Sequence, residues 1–225
     1  LFTLSHLQAV FFIIFADAFH AQRQDRTLEP PRVLMLGGPG TGKSTAVHAV
    51  MWYTAQHGQP AWLSTSAFAW TAALAFNTSV HRSLSTHTMF QICVRPAYQL
   101  RSGADAAQKV RANVGRGAIC VDEIAYNSLE HIGACSASCN KHIASRDMHP
   151  SHPACDTFAG LPTALTGDSS QHTSPAGTPV YKYAKQLRDN PAFRPTLDPA
   201  RTTSGGEART WALRQERLEQ GFKAY

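Results

Sequence analysis

Apolar runs along the chain alternate with polar segments that contain glycine or proline, and their spacing predicts a series of helices and strands. Residues 3–20 carry apolar side chains at helical spacing, which predicts an amphipathic helix. Strands are predicted at 32–36, 61–65, 117–121 and 161–166, and helices at 43–57 and 105–114. Because strands and helices alternate, we expect an α/β fold with a mostly parallel sheet that has helices on both faces.

The composition limits the size and the compartment of the protein. The chain has 225 residues, of which 43% are hydrophobic, enough for one core of ordinary domain size. Lys and Arg outnumber Asp and Glu by 21 to 15, which suits an anionic partner. Five cysteines, an odd number, favour reduced thiols inside the cell. The apolar run 9–16 is far shorter than the roughly 20 residues that span a bilayer. We therefore expect an intracellular protein without a membrane partner.

A glycine-rich segment follows the first predicted strand and leads into a predicted helix. It fits the pattern G-x-x-x-x-G-K-[ST], with Gly37 and Gly42 followed by Lys43 and Ser44. Glycines let backbone N–H groups curl around phosphate oxygens, and the helix N-terminus adds a positive dipole. The sequence thus predicts a nucleoside triphosphate site, with Lys43 on the β/γ-phosphates and Ser44 on Mg²⁺. The nucleotide-binding residues are predicted to be Gly38, Pro39, Gly40, Thr41, Gly42, Lys43, Ser44 and Thr45. A chance glycine turn is the alternative.

Two carboxylates end the predicted strand 117–121. In this position a P-loop NTPase holds Mg²⁺ with one carboxylate and polarises the attacking water with the other. Asp122 is therefore the candidate metal ligand and Glu123 the candidate base, the alternative being a solvated acidic pair at a helix start. Gln171 follows the strand 161–166, and at the same sheet edge it would sense the γ-phosphate. On its own, a glutamine in this position is more often a loop amide.

Five segments in this order resemble the superfamily-one DNA helicases of the Pif type, which are related to bacterial RecD and to Helitron-encoded helicases. They are Thr3-Leu4 with Gln8, the run 37–45, the run 85–90, Val121-Asp122-Glu123-Ile124, and the segment 158–171 with Thr166-Gly167-Asp168 and Gln171. The resemblance covers roughly residues 3–184. It implies a RecA-like, three-layer P-loop NTPase domain that hydrolyses ATP to unwind DNA in repair, recombination or replication.

The resemblance also implies roles for individual residues. Gln8 would read the adenine edge, while Ser85, His87 and Thr88 would contact DNA, either single-stranded or forked. Gln171 would couple the γ-phosphate to domain movement. The expected divisions are a helical segment at 1–30, the ATPase domain at 31–184 and a Pro- and Arg-rich tail at 185–225, predicted as loop over 185–210. A second RecA-like domain is expected in cis but is not readable in this chain, which we interpret as a fragment from the nucleus or mitochondrion.

Two segments depart from the helicase pattern. Polar residues surround Gln171 where apolar and proline residues are usual, and the run 66–71 lacks the usual Thr-Gly. Two other functions therefore stay open: a P-loop phosphotransferase, and a degenerate remnant that binds nucleotide or single-stranded DNA without turnover. A further group, His131, Cys135, Cys139 and His142, has helical spacing. It spreads over roughly 16 Å of helix, too far for one tetrahedral zinc, so a buried helix face is the preferred interpretation.

Overall fold

Five strands form one sheet in which every neighbouring pair is parallel, in the order β1-β5-β4-β2-β3. The computed structural model describes residues 3–24, 29–93, 99–115, 117–143, 157–168, 178–179, 190 and 205–224. The strands are β1 (Arg32–Leu36), β2 (Leu63–Ala67), β3 (Leu84–Ser85), β4 (Ala118–Asp122) and β5 (Thr163–Gly167). Because all strands run the same way, their carboxyl ends share one edge of the sheet.

Seven α-helices lie in the described residues. They are α1 (His6–Arg23), α2 (Lys43–Gln56), α3 (Trp70–Ala73), α4 (Thr86–Met89), α5 (Ala104–Val114), α6 (Leu129–His142) and α7 (Gly205–Ala224). Three short 3-10 turns lie at Leu74–Phe76, Ile124–Tyr126 and Phe158–Gly160. None of the helices in the described part of the chain has the length and apolar character needed to cross a membrane.

Hydrophobic cores on both faces of the sheet give the three layers. On one face, α1 and α2 pack with Phe15, Phe19 and Val50 against strand residues such as Leu63. On the other face, α5 and α6 pack around residues such as Ile119. Parallel strands covered on both faces carry nearly continuous apolar side chains, and β4 accordingly has four buried residues in succession. This arrangement confirms the predicted α/β P-loop fold with a mostly parallel sheet.

The helices α6 and α7 cross with almost no space between their backbones. A Cβ atom added at Gly133 would lie 1.8 Å from the carbonyl oxygen of Arg217, and one added at Gly221 would lie 1.7 Å from that of Leu129. Only glycine fits at either position. This contact is the principal attachment of α7 among the described residues.

The observed elements differ from the predicted ones mainly at their ends. The first strand matches at 32–36, whereas β2 and β5 begin two residues later than predicted, where pairing with β4 begins. The prediction of loop over 185–210 is wrong from Gly205 onward, because α7 begins there despite the weak helix propensity of Gly205 and Gly206. Packing against α6 outweighs that propensity.

Candidate functional site

The P-loop, which we define as Gly37–Thr45, connects β1 to α2 at the carboxyl edge of the sheet. Gly40 and Gly42 have positive φ angles of 73° and 79°, a conformation that glycine adopts without strain. The Lys43 ammonium donates hydrogen bonds to the carbonyl oxygens of Gly37 at 2.6 Å and Gly38 at 3.0 Å. The hydroxyl side chains of Ser44 and Thr45 are exposed at the first turn of α2. The loop is therefore open to solvent at the helix N-terminus, where an anion is stabilised.

Gln8 lies against this loop although it belongs to α1. Its amide nitrogen donates to the carbonyl oxygens of Thr41 and Gly42, both at 3.2 Å. Its amide oxygen accepts from the backbone N–H of Ser5 at 2.9 Å, which completes a capping box at the start of α1. The structure therefore brings Gln8 next to the predicted nucleotide-binding residues.

Asp122 ends β4 and is half-buried at the same sheet edge. The hydroxyl of Thr166, on the adjacent strand β5, donates a hydrogen bond to Asp122 Oδ1. Two residues earlier on β4, burial raises the pKa of the Cys120 thiol, the Asp122 charge raises it further and Thr166 lowers it, so the thiol stays protonated. Asp122 thus accepts a hydrogen bond from the neighbouring strand.

Glu123 adopts a left-handed backbone conformation, with φ 56° and ψ 45°. Such a conformation costs a non-glycine residue roughly 1–2 kcal/mol, and strained residues of this kind cluster at functional sites. The turn is held by Asn127, whose side-chain amide donates to the Glu123 carbonyl oxygen at 3.2 Å. Burial raises the pKa of the Glu123 carboxyl, the Asp122 charge raises it further, and a backbone hydrogen bond from Ala69 lowers it. A carboxyl with a raised pKa suits a general base.

The three predicted DNA-contacting residues lie where β3 meets α4, and they differ in exposure. Ser85 is the N-cap of α4, and its hydroxyl oxygen accepts from the backbone N–H of Thr88 at 3.4 Å. Thr88 is exposed, whereas His87 is half-buried. The ring of His87 lies 4.5 Å from that of His131 and 5.5 Å from that of Phe68. Burial lowers the pKa of both histidines, most strongly that of His131, where His87 adds to the effect.

Two predictions on other residues have different outcomes. Gln171 lies outside the described residues, so its role stays a prediction. The group His131, Cys135, Cys139 and His142 lies on α6, where all four side chains are buried. In the described part of the chain, no three His, Cys, Asp or Glu side chains are close enough to hold one metal ion. Burial raises the pKa of both thiols, which keeps them protonated.

Sequence reasoning gave no role at this edge to Thr166, Asn127 or Phe68. Thr166 is separated from Asp122 by a long stretch of chain, and only strand pairing brings the two together. The available signal was its place directly before Gly167-Asp168 at the end of a predicted strand. No comparable signal marks Phe68 as a neighbour of the α6 residue His131.

The chain has the fold of solved Pif1 helicases. It is similar to Pif1 from Candida albicans, with a TM-score of 0.55 and 14% identity over 81% of this chain and 37% of that one. A structure of two coordinating Pif1 helicases at forked dsDNA gives a TM-score of 0.52 and 15% identity, over 84% of this chain and 38% of that one. Bacteroides sp Pif1 in complex with ADP-AlF4 gives a TM-score of 0.51 and 14% identity, over 84% of this chain and 37% of that one. The chain thus spans less than two fifths of these solved chains.

Sequence comparison gives the family. A search of curated protein sequences found no significant match. A family model described as AAA domain matches residues 21–135, just over half of the chain, and it includes both the P-loop and Asp122-Glu123. The chain therefore belongs to this AAA domain family.

Proposed function

We propose that this chain is an ATP hydrolase and the first RecA-like motor domain of a DNA helicase. The observation that carries the proposal is the meeting of the P-loop and the Asp122-Glu123 pair at one sheet edge. The strands β1 and β4 lie on either side of β5 and all three run parallel, so their carboxyl ends face the same side. A cradle for phosphates and a pair of carboxylates are the parts that in-line hydrolysis of a triphosphate needs.

The residues at this edge fit a magnesium ion. Ser44 offers an exposed hydroxyl, and Asp122 offers a carboxylate whose Oδ1 is engaged by Thr166, which leaves Oδ2 for a cation. Oxygen ligands of this kind, one or two from the protein, are what Mg²⁺ prefers when it also binds phosphates. The ion would neutralise charge that develops on the β- and γ-phosphate oxygens.

The remaining steps belong to the side chains of the chain itself. Lys43 exchanges its two hydrogen bonds to loop carbonyls for bonds to the β- and γ-phosphates. Gln8, on the adjoining helix α1, exchanges its bonds to the loop for the edge of the adenine ring. Glu123 accepts a proton from the attacking water and aligns the water for in-line attack. Its raised pKa places this proton transfer closer to neutral pH than an ordinary glutamate would.

The helicase part of the proposal rests on likeness to the Pif1 structures and on the resemblance of ordered motifs. Single-stranded or forked DNA would run along the edge that carries Thr88, with Ser85 and His87 beside it. A second RecA-like domain would complete the nucleotide site and the DNA track. We propose residues 31–184 as the ATPase domain, preceded by the segment with Gln8 and followed by a tail from residue 185.

Three measurements test this function: nucleotide binding, DNA binding and phosphate release. The first is binding of a fluorescent ATP analogue with Mg²⁺ to wild type, Lys43→Ala and Lys109→Ala, the last being an exposed lysine on α5 paired with Asp105. We expect affinity to fall at least tenfold in Lys43→Ala alone. Equal binding by all three proteins would overturn the nucleotide site.

The second is anisotropy of a labelled oligo-dT strand, at constant salt because backbone binding depends strongly on salt. We expect a non-hydrolysable ATP analogue to change DNA affinity in wild type but not in Lys43→Ala, which is the linkage that a motor requires. Release of phosphate stimulated by oligo-dT, abolished in Glu123→Gln with nucleotide binding retained, would complete the assignment. Nucleotide binding with neither linkage nor turnover would favour the degenerate remnant, and phosphate transfer to another acceptor would favour a phosphotransferase.

A further inference from the structure

Thr166 occupies a central position in the sheet, between the P-loop strand and the strand that carries the carboxylates. It pairs with Met35 of β1, and the preceding residue, Leu165, pairs with Val121 of β4. This register sets Thr166 beside Asp122. The side chain is 1% exposed, so its hydroxyl has no access to bulk water and needs a partner inside the protein.

That partner is the Asp122 carboxylate. The Thr166 hydroxyl donates a hydrogen bond to Asp122 Oδ1 across the pair of strands β4 and β5. A half-buried carboxylate that accepts one fixed hydrogen bond keeps one rotamer. The bond therefore holds Oδ1 toward β5.

We propose that Thr166 is a positioning residue for the metal-binding carboxylate, holding Asp122 so that Oδ2 is directed to the cation of a bound nucleotide. This inference rests on the proposed function and adds to it a residue of β5, the strand that continues into Gly167-Asp168. The strand thereby acts on the metal site directly, through a hydrogen bond.

A purely structural role would give a different pattern of effects. Val has nearly the shape of Thr, so Thr166→Val removes the hydroxyl and keeps most of the packing. Thr166→Ser keeps the hydroxyl and loses one methyl group. Thr163→Val is the matched control, because Thr163 is also buried on β5 but donates to the carbonyl oxygen of Leu161 at 2.8 Å, away from Asp122.

The test measures the affinity of a fluorescent ATP analogue in EDTA and then across a Mg²⁺ titration, after circular dichroism has shown that each variant is folded. We expect Thr166→Val to match wild type in EDTA and to need about tenfold more Mg²⁺ for half-maximal enhancement, the lower end of what a hydrogen bond to a charged group is worth. Thr166→Ser should stay close to wild type, and Thr163→Val should not shift the Mg²⁺ requirement.

Electron paramagnetic resonance of Mn²⁺ in place of Mg²⁺ gives an independent measure of metal affinity. The positioning role would be overturned by a wild-type metal requirement in Thr166→Val, by failure of serine to rescue, or by an equal shift in Thr163→Val. A wild-type protein that binds nucleotide with no dependence on either metal would instead overturn the proposed metal site itself, and this inference with it.

Discussion

The side-chain nitrogen of Gln8 lies 3.2 Å from the carbonyl oxygen of Gly42, the residue at which the P-loop turns into α2. A Cβ atom at position 42 would lie 2.1 Å from the same nitrogen. Gly42 is therefore required twice, once for its positive φ angle and once for the close approach of Gln8. Gln8 thus couples the first helix of the chain to the phosphate-binding loop.

Gly42→Ala should destabilise the protein by more than the left-handed backbone alone explains. The strain is worth roughly 1–2 kcal/mol, and the displaced Gln8 amide adds about 1 kcal/mol. Gly58→Ala is the control, because Gly58 has a φ of 77° but open space around the added Cβ. Urea denaturation of both variants, with Gln8→Ala in a double-mutant cycle, separates the two terms. Strict additivity of Gly42→Ala and Gln8→Ala would contradict the coupling.

Glu123→Gln should be more stable than wild type at pH 7. The pKa of Glu123 is raised by burial and by Asp122, so the folded protein binds its proton more tightly than the unfolded chain does. Stability is therefore lost as pH rises from the ordinary glutamate pKa through the raised one. The stability gap between variant and wild type should close as pH falls toward about 4.3.

Denaturant midpoints measured from pH 4 to pH 7.5 check this expectation, with the exposed Glu29→Gln as control. A variant that is less stable than wild type at neutral pH, or a gap that does not change with pH, would rule out the account given for Glu123. The same variant is the one expected to lose turnover, so stability and activity should move in opposite directions.

His131 should make the protein less stable at acidic pH. Its effect on the pH dependence of stability is opposite in sign to that of Glu123. Burial lowers its pKa, and His87 lowers it further, so the folded state holds the neutral ring. The associated stability is present above the unfolded pKa of about 6.5 and is lost as pH falls below it. His131→Asn should lose less stability than wild type between pH 7 and pH 5. His6→Asn, at an exposed position, should follow wild type, and parallel curves for all three proteins would refute the prediction.

Gly133→Ala and Gly221→Ala should each loosen the contact between α6 and α7. The added Cβ atoms would meet backbone carbonyl groups, which cannot move aside as a flexible side chain can. Overpacking of this kind costs about 1–3 kcal/mol. Limited proteolysis should cleave α7 faster in both variants, while Gly38→Ala, whose added Cβ meets nothing within 4 Å, should digest like wild type. Unchanged cleavage rates would mean that the helices are not held by this crossing.

The parts of the site that are written in contiguous residues could be predicted from the sequence. Gly42 and Lys43 follow one another at a strand-to-helix turn, and Asp122 directly ends an apolar strand. Local spacing and elementary phosphate chemistry were enough for both. The α/β fold followed from the alternation of apolar runs, because each run is itself a local feature.

The missed features depend on residues that are distant in the chain. The Thr166 bond to Asp122 requires the pairing of β4 with β5, and the helix at Gly205 requires packing against α6. The αL conformation of Glu123 depends on Asn127 and on the turn that follows β4. Sequence patterns report propensity and periodicity, but they do not report which distant neighbours override them.

The position of β1 in the sheet has a consequence for protein synthesis. Among the described residues, β1 pairs only with β5. Arg32 is therefore synthesised well before Thr163, the residue with which it pairs. At roughly 5–20 residues per second, a ribosome needs roughly 7–26 seconds to make the intervening chain. The P-loop is thus a short, contiguous motif, but the strand that leads into it, β1, pairs with a strand that is made late, after β4. A nascent chain that stops before β5 would carry every residue of the loop but would lack the strand that joins β1 to the rest of the sheet.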